Sequence, residues 1–117
     1  MAIKSFNAGA DLSDKIGYAV ITNATNKEVI VASANADCIG ILTNDGEENE
    51  AVAVALVGEV VKGKLGGAVS FGDALKATTG GSLIKAGGSS DDNVIAMALA
   101  GGSSGDRIEV VVVKFVK

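Results

Sequence analysis

The chain lacks histidine, proline and tryptophan, and it contains a single cysteine among its 117 residues. Without histidine, Ser-His-Asp and Cys-His catalysis are excluded, and so is any zinc site that uses a histidine ligand. A single cysteine cannot form a disulfide within the chain. Cys38 lies in the apolar run CIGIL, which predicts a small buried core residue rather than a reactive thiol.

Aromatic side chains are also scarce, with one tyrosine and three phenylalanines. The core must therefore be built from valine, isoleucine, leucine and alanine, and side chains this small make a large enclosed ligand pocket unexpected. The clefts that place paired carboxylates around a sugar are rich in aromatic rings, so the acidic residues do not predict a glycoside hydrolase. We expect no enzyme activity, no cofactor and no small-molecule substrate.

The charge balance is acidic, with ten basic and fourteen acidic side chains and a formal net charge of −4. Nucleic-acid binding draws most of its affinity from lysine and arginine contacts to phosphates, so a single arginine argues against nucleic acid as a partner. The longest apolar run, AVAVALV at residues 51–57, is too short to span a bilayer. No signal-peptide pattern is visible, and we expect a soluble protein made in the cytoplasm, without a membrane partner.

Two acidic clusters raise the question of a calcium site. One contains four carboxylates between residues 45 and 50, and the other is Asp91 with Asp92. Neither cluster matches the alternating aspartate pattern of an EF-hand loop. We interpret both as solvated turns and expect no metal site.

The segment GEVVKGKL, residues 58–65, comes close to a phosphate-binding loop, which needs two glycines at this spacing, then lysine, then serine or threonine. Leu65 stands where the magnesium-binding hydroxyl is required, and Glu59 would repel a phosphate. The two glycines that follow do not begin the helix that such a loop requires. The segment is therefore interpreted as the end of a strand and its turn.

Short apolar runs alternate with turn clusters from Gly17 onward. The runs are GYAVIT, EVIVAS, CIGILT, AVAVALVGEVV, DALKAT, SLIKA, VIAMAL and RIEVVVVKFV. This spacing predicts an all-β fold, a compact small sandwich or barrel of about eight short strands. Residues 1–14 carry no such pattern, so we expect them to form an irregular N-terminal arm and residues 15–117 to form a single β domain.

The two halves of the chain resemble each other at an offset of 56 residues, which predicts an internal two-fold pseudo-repeat. The matched residues are 39–41 with 95–97, and Val52, Val54 and Leu56 with Ile108, Val110 and Val112. Two β-rich halves can also resemble each other by chance. If the repeat is real, AVAVALVGEVV forms a long strand like RIEVVVVKFV, and not the capped helix that the preceding NDGEEN would also allow.

The last apolar run, residues 108–116, is apolar on both of its faces. A strand of this kind is covered on both sides. The second cover comes either from a two-layer core within the domain or from another subunit. On the second interpretation, Val111, Val113 and Phe115 are subunit-interface residues.

Four further segments are informative through their order and spacing: AGADLS at 8–13, IGILTN at 39–44, KGKLGGAVSFGDAL at 62–75 and NVIAMALAGGSSGDRIEVVVV at 93–113. Together they resemble the small capsid decoration (cement) proteins of tailed bacteriophages. Proteins of that family bind the outer surface of the phage head, gather as trimers and hold neighbouring capsid subunits together. The resemblance implies a homotrimeric, non-enzymatic virion protein whose partners are the major capsid protein and further copies of itself.

The resemblance also suggests a role for the N-terminal arm. An arm that adds a strand to an exposed edge of the capsid shell would bind through main-chain hydrogen bonds, with Ile3, Lys4 and Phe6 as capsid contacts. The alternative is a disordered terminus. Two other functions stay open, a virion-displayed module that binds carbohydrate or a cell surface, and an enzyme or nucleotide-binding protein. The shortage of aromatics counts against the first, and the missing histidine counts against the second.

Overall fold

The computed structural model describes residues 3–23, 28–87 and 92–116, which form ten strands and no helix. The strands are β1 (Ile3–Ala8), β2 (Ala19–Asn23), β3 (Glu28–Val31), β4 (Gly40–Leu42), β5 (Ala51–Ala55), β6 (Val60–Lys64), β7 (Ala74–Ala77), β8 (Leu83–Lys85), β9 (Asn93–Ala98) and β10 (Arg107–Val116). The predicted all-β class is confirmed. Within these residues, no helix exists that is long and apolar enough to cross a membrane.

Strand β1 is the first of two strands that the sequence did not predict. Residues 3–7 pair antiparallel with β5, from Ile3 opposite Ala55 to Asn7 opposite Ala51. The expectation that the N-terminal residues are irregular is therefore wrong for Ile3–Ala8. Phe6 packs against the core of the first half and Ala8 is buried within it, and this apolar contact holds the strand in place.

Strand β6 is the second unexpected strand, because the run AVAVALVGEVV is interrupted. Strand β5 ends at Ala55, and the chain turns through Gly58, whose φ of 100° suits glycine and few other residues. Strand β6 then begins at Val60 and pairs with β10. The segment GEVVKGKL is thus a turn followed by a strand, the reverse of the order expected from the sequence.

The pseudo-repeat is confirmed by the strand order. The first five strands form a closed barrel in the order β1-β3-β2-β4-β5, and β5 returns to pair with β1. The last five strands form a sheet in the order β6-β10-β9-β7-β8. Replacing each strand by the strand five places earlier gives β1-β5-β4-β2-β3. This is the order of the closed barrel, followed around the ring from β1 in the opposite direction. Even the parallel pairing of Ala8 with Val29 that closes the barrel has its counterpart in a parallel bridge between Leu65 and Leu83.

Each half has an apolar interior built from small aliphatic side chains. In the first half the buried residues are Ala8, Leu12, Val20, Val29, Leu42, Val52 and Val54. Their counterparts in the second half are buried as well, and these are Leu65, Val69, Leu75, Leu83, Ala98, Ile108 and Val110. The alternation that was predicted from valine, isoleucine and leucine therefore corresponds to two matched interiors.

Backbone hydrogen bonds join the two halves at the β7–β8 turn. Ala19 N donates to Gly81 O at 2.7 Å, and Gly80 N donates to Ala32 O at 3.1 Å. A Cβ atom on Gly81 would lie 2.7 Å from Ala19 O, and the φ of Gly81 is 91°. Only glycine fits this close approach. A side chain at position 81 would push the two halves apart and break the backbone hydrogen bonds that join them.

Candidate interaction surfaces

The single thiol is a core residue, as the sequence predicted. Cys38 is 2% exposed, and burial raises the pKa of its thiol to about 12. Its Sγ lies 3.5 Å from Ala36 O. At neutral pH the thiol is therefore protonated and unsuited to nucleophilic chemistry.

An open hollow of about 230 Å³ lies where β6 passes over the first half. It is lined by Ile16, Leu42, Thr43, Val61 and Lys62. Its walls are mostly apolar, and Lys62 is the one ionisable side chain among these five. The hollow has no acid–base pair in its lining, and its shape reflects the contact between the halves.

The acidic cluster between residues 45 and 50 is a solvated turn, as expected. Glu47, Glu48 and Glu50 are exposed, and Glu47 N donates to Glu50 Oε1 at 2.6 Å. Asp45 Oδ2 accepts a 3.1 Å hydrogen bond from Asp14 N. Across residues 3–23, 28–87 and 92–116, no group of three histidine, cysteine, aspartate or glutamate side chains could hold a metal ion.

Asp92 departs from the sequence interpretation. It was expected in a solvated turn with Asp91, which lies outside the described residues, but Asp92 is only 1% exposed. Lys76 Nζ on β7 donates to Asp92 Oδ1 at 3.0 Å. The second oxygen, Oδ2, is buried without a hydrogen-bond partner in the described part of the chain. Sequence reasoning missed this ion pair because sixteen residues separate its two members.

The three predicted capsid-contact residues all lie on β1, but they do not share one face. Ile3 pairs with Ala55, whose side chain points away from the barrel interior, and Lys4 pairs with the interior residue Val54. Phe6 lies on the same side as Lys4 and packs against the barrel core. Ile3 is 41% exposed and Lys4 is also exposed. Their role as capsid contacts stays a prediction.

Strand β1 has one occupied edge and one partly open edge. The occupied edge pairs with β5 along residues 3–7. The other edge pairs with β3 at Asn7 and Ala8, and no described strand pairs with it along residues 3–6. An unpaired strand edge presents backbone donors and acceptors to which a partner strand can bind.

Strand β10 separates a buried face from a partly exposed one. Ile108, Val110 and Val112 are buried in the core, whereas Val111 and Val113 on the outer face are half-buried. The side chain of the third predicted interface residue, Phe115, lies outside the described set. The register with β9 shifts between Val112 and Phe115, so the simple alternation ends there. The role of these three residues as a subunit interface stays a prediction.

Comparison with known proteins gives a likeness in fold. No family model and no curated protein matches the chain. Among solved structures, the chain is similar to the N base of the head fibre gp8.5 in bacteriophage phi29, with a TM-score of 0.72, 14% sequence identity and coverage of 98% of each chain. At this identity the likeness shows the fold, and its coverage extends over both halves of the repeat. That neighbour is a phage head protein, as are the decoration proteins that the sequence segments resemble.

Proposed function

We propose that the chain is a structural protein of a bacteriophage head, which binds the outer surface of the mature capsid as a homotrimer and stabilises the shell. The observation that carries this proposal is the likeness, over 98% of both chains, to a head-fibre base. The resemblance of the sequence segments to capsid decoration proteins supports the same role independently. Together they favour a phage head over any other setting for this fold.

The chemistry of the chain supports binding rather than catalysis. The one thiol is buried and protonated at neutral pH. The segment that resembles a phosphate-binding loop is committed to a strand, where Val60, Val61 and Lys62 pair with β10. A backbone held in this ladder cannot wrap around a phosphate.

The partly open edge of β1 is the proposed contact with the major capsid protein. Strand addition there would supply main-chain hydrogen bonds, and exposed Ile3 and Lys4 would contact the partner. Phe6 would act indirectly, because it packs against the barrel core and holds β1 in position. The proposed contact is therefore made by a strand whose direction and position are fixed by its pairing in the barrel, and not by an irregular arm.

Saturation binding to purified heads tests the proposal. Heads of the encoding phage, before and after expansion, are titrated with the purified chain, and bound copies are counted by quantitative gel analysis. We expect saturation on expanded heads, in multiples of three. Absence of binding to both forms would overturn the proposal and direct the search to glycans and cell-surface partners.

A further inference from the structure

The pseudo-repeat allows the outer surfaces of the two halves to be compared residue by residue. In the first half, Ala19 pairs with Ile41, and Ile41 pairs with Ala55. Their strand neighbours Val20 and Leu42 point into the barrel, so these three side chains point outward. All three are nevertheless fully buried, in the cluster that contains the interior of the second half. The second half therefore covers this row, which we call the covered face.

The second half carries the counterpart of the covered face. Ala74 pairs with Met97, Met97 pairs with Val111, and Val111 pairs with Val60. Val60 is 51% exposed, and the other three side chains are half-buried. Ala74, Met97 and Val111 thus occupy the positions that are fully buried in the first half, whereas Val60 corresponds to Ile3, which is itself 41% exposed.

Two large apolar residues extend this exposed row. Phe71 is 75% exposed, and Leu99, two residues beyond Met97, is 37% exposed. The turn that carries Phe71 is fixed, because Asp73 Oδ2 accepts a 2.8 Å hydrogen bond from Ser70 N and Gly72 N donates to Ala98 O at 2.8 Å. The backbone that carries Phe71 is thus held in place, and aromatic side chains, Phe included, are enriched at protein–protein interfaces.

The turn of Phe71 also has a counterpart in the first half. Gly17 N donates to Leu42 O at 2.9 Å, as Gly72 N does to Ala98 O, so Ile16 corresponds to Phe71. There, the second half contacts the backbone of the turn, since the Ile16 carbonyl accepts a hydrogen bond from Arg107 Nε at 3.1 Å, and Ile16 is 37% exposed, half as much as Phe71. The surface around Phe71 has no corresponding neighbour among the described residues.

We call the exposed set the outer face of the second half. Its members are Val60, Phe71, Ala74, Met97, Leu99 and Val111. We infer that this face docks onto the first half of a second copy of the chain. The equivalent contact within one copy is the one in which the covered face of the first half packs against the second half. The intramolecular contact identifies the occupant, because what covers the equivalent face is itself a repeat unit of this fold.

Charge supports the same pairing. Residues 1–57 contain three basic and eight acidic side chains, for a net charge of −5, whereas residues 58–117 contain seven basic and six acidic side chains, for a net charge of +1. A second half that approaches a first half is attracted, and a first half that approaches another first half is repelled. The charge distribution thus favours docking of unlike halves.

Docking of unlike halves is a head-to-tail contact, in which each copy contributes one outer face and one first half. Such contacts close into rings when the rotation between copies allows it. The inference rests on the self-association within the proposed function, where it specifies the contact of the trimer, and it does not depend on head binding.

The outer face is tested with the double variant Phe71→Ser/Leu99→Ser and a matched control, Val57→Ser. Val57 is 52% exposed and lies outside the face. Mass is measured by light scattering after gel filtration over a range of concentrations, and the fold is checked by far-UV circular dichroism and thermal melting. We expect wild type and Val57→Ser to assemble alike, and the double variant to need at least about tenfold higher concentration, because anchor residues of this kind carry much of the association free energy. A double variant that assembles like wild type, or a wild type that is monomeric throughout, would overturn the inference.

The head-to-tail arrangement is tested by mixing. A tagged Phe71→Ser/Leu99→Ser chain has lost its own outer face but keeps an intact first half, so it should still capture untagged wild type in a pull-down. Failure to capture wild type, while tagged wild type does so, would show that like faces meet and would overturn the head-to-tail contact. Assembly without head binding would leave this inference standing and remove the proposed function. Head binding by a monomer would overturn this inference and the homotrimer, and would leave only the head-binding part of the proposed function.

Discussion

Asp92 shows how a single residue can depart from its local sequence context. In the segment SSDDN it has the composition of an exposed turn, yet among the described residues it is the one charged side chain that is buried. Lys76 extends from β7 to pair with it and remains partly exposed. Removing two charges from water costs free energy that the ion pair recovers only while both partners are present.

Removal of Lys76 should therefore be costly. We expect Lys76→Met to lower the free energy of unfolding by about 3–5 kcal/mol, because Asp92 is then buried without a cation. Lys85→Met is the control, since Lys85 lies 3.9 Å from Asp73 with its side chain 62% exposed, and it should cost about 1 kcal/mol or less. Guanidinium denaturation followed by circular dichroism measures both. Equal losses would contradict a special role for the buried pair.

Cys38 should make the free energy of unfolding depend on pH in the alkaline range. Burial raises the pKa of its thiol from 9.0 to about 12, so the folded state holds the proton more tightly than the unfolded state. The stabilisation is complete below pH 9 and is lost as pH rises from there towards 12. We expect Cys38→Ala to be less sensitive to pH than wild type between pH 8 and pH 10.5. Parallel denaturation curves for the two proteins over this range would contradict the assignment.

At the scale of the element, strand β1 has an occupied edge, which pairs with β5, and a partly open edge on the side of β3. Ala8 N donates to Glu50 O on the β5 side, and Gly9 N donates to Val29 O on the β3 side. Backbone groups alternate along a strand, so Ser5 N–H points towards the open edge and not towards β5. The strand can therefore lose this one donor without losing its place in the barrel.

This alternation provides a matched pair of variants. Ser5→Pro removes the N–H at the open edge, and proline is tolerated on an edge whose donor is not used within the sheet. Ser5→Ala changes the side chain and keeps the donor. We expect Ser5→Pro to reduce binding to expanded heads at least about tenfold, the equivalent of one main-chain hydrogen bond, with little change in the melting temperature. Wild-type binding by both variants would contradict strand addition at β1.

At the scale of the whole molecule, the two halves share one core. The covered face of the first half and the interior of the second half belong to the same buried cluster, and backbone hydrogen bonds join them. Neither half can lose this contact without exposing apolar surface to water. The two barrel-like units are therefore expected to unfold together, although each repeats the other.

The repeat supplies its own control for this expectation. Ile41→Ala opens a cavity between the halves and should cost about 2–5 kcal/mol, whereas Met97→Ala, at the equivalent and half-buried position, should cost clearly less in the monomer. Differential scanning calorimetry should show one transition for wild type and for both variants. Two separate transitions would contradict a shared core.

The sequence alone determined the class of the fold and the repeat. Alternating valine, isoleucine and leucine between glycine-rich turns is a local signal, and strand formation and the two matched interiors follow from it. The apolar run CIGIL likewise placed Cys38 in the core. The strands and the burial of Cys38 could be predicted because each depends on residues that are neighbours along one strand.

The tertiary structure alone decided which surfaces are covered. Nothing in IKSFNA predicts that it completes a barrel, because its partner β5 lies more than forty residues away. The sequence likewise cannot distinguish the row of Ile41 from the row of Met97, which are alike in composition. One becomes core and the other remains surface because only the first has a second half to pack against. The burial of a side chain depends on which distant segments of the chain pack against it. In a repeat protein these segments differ between equivalent positions of the repeat.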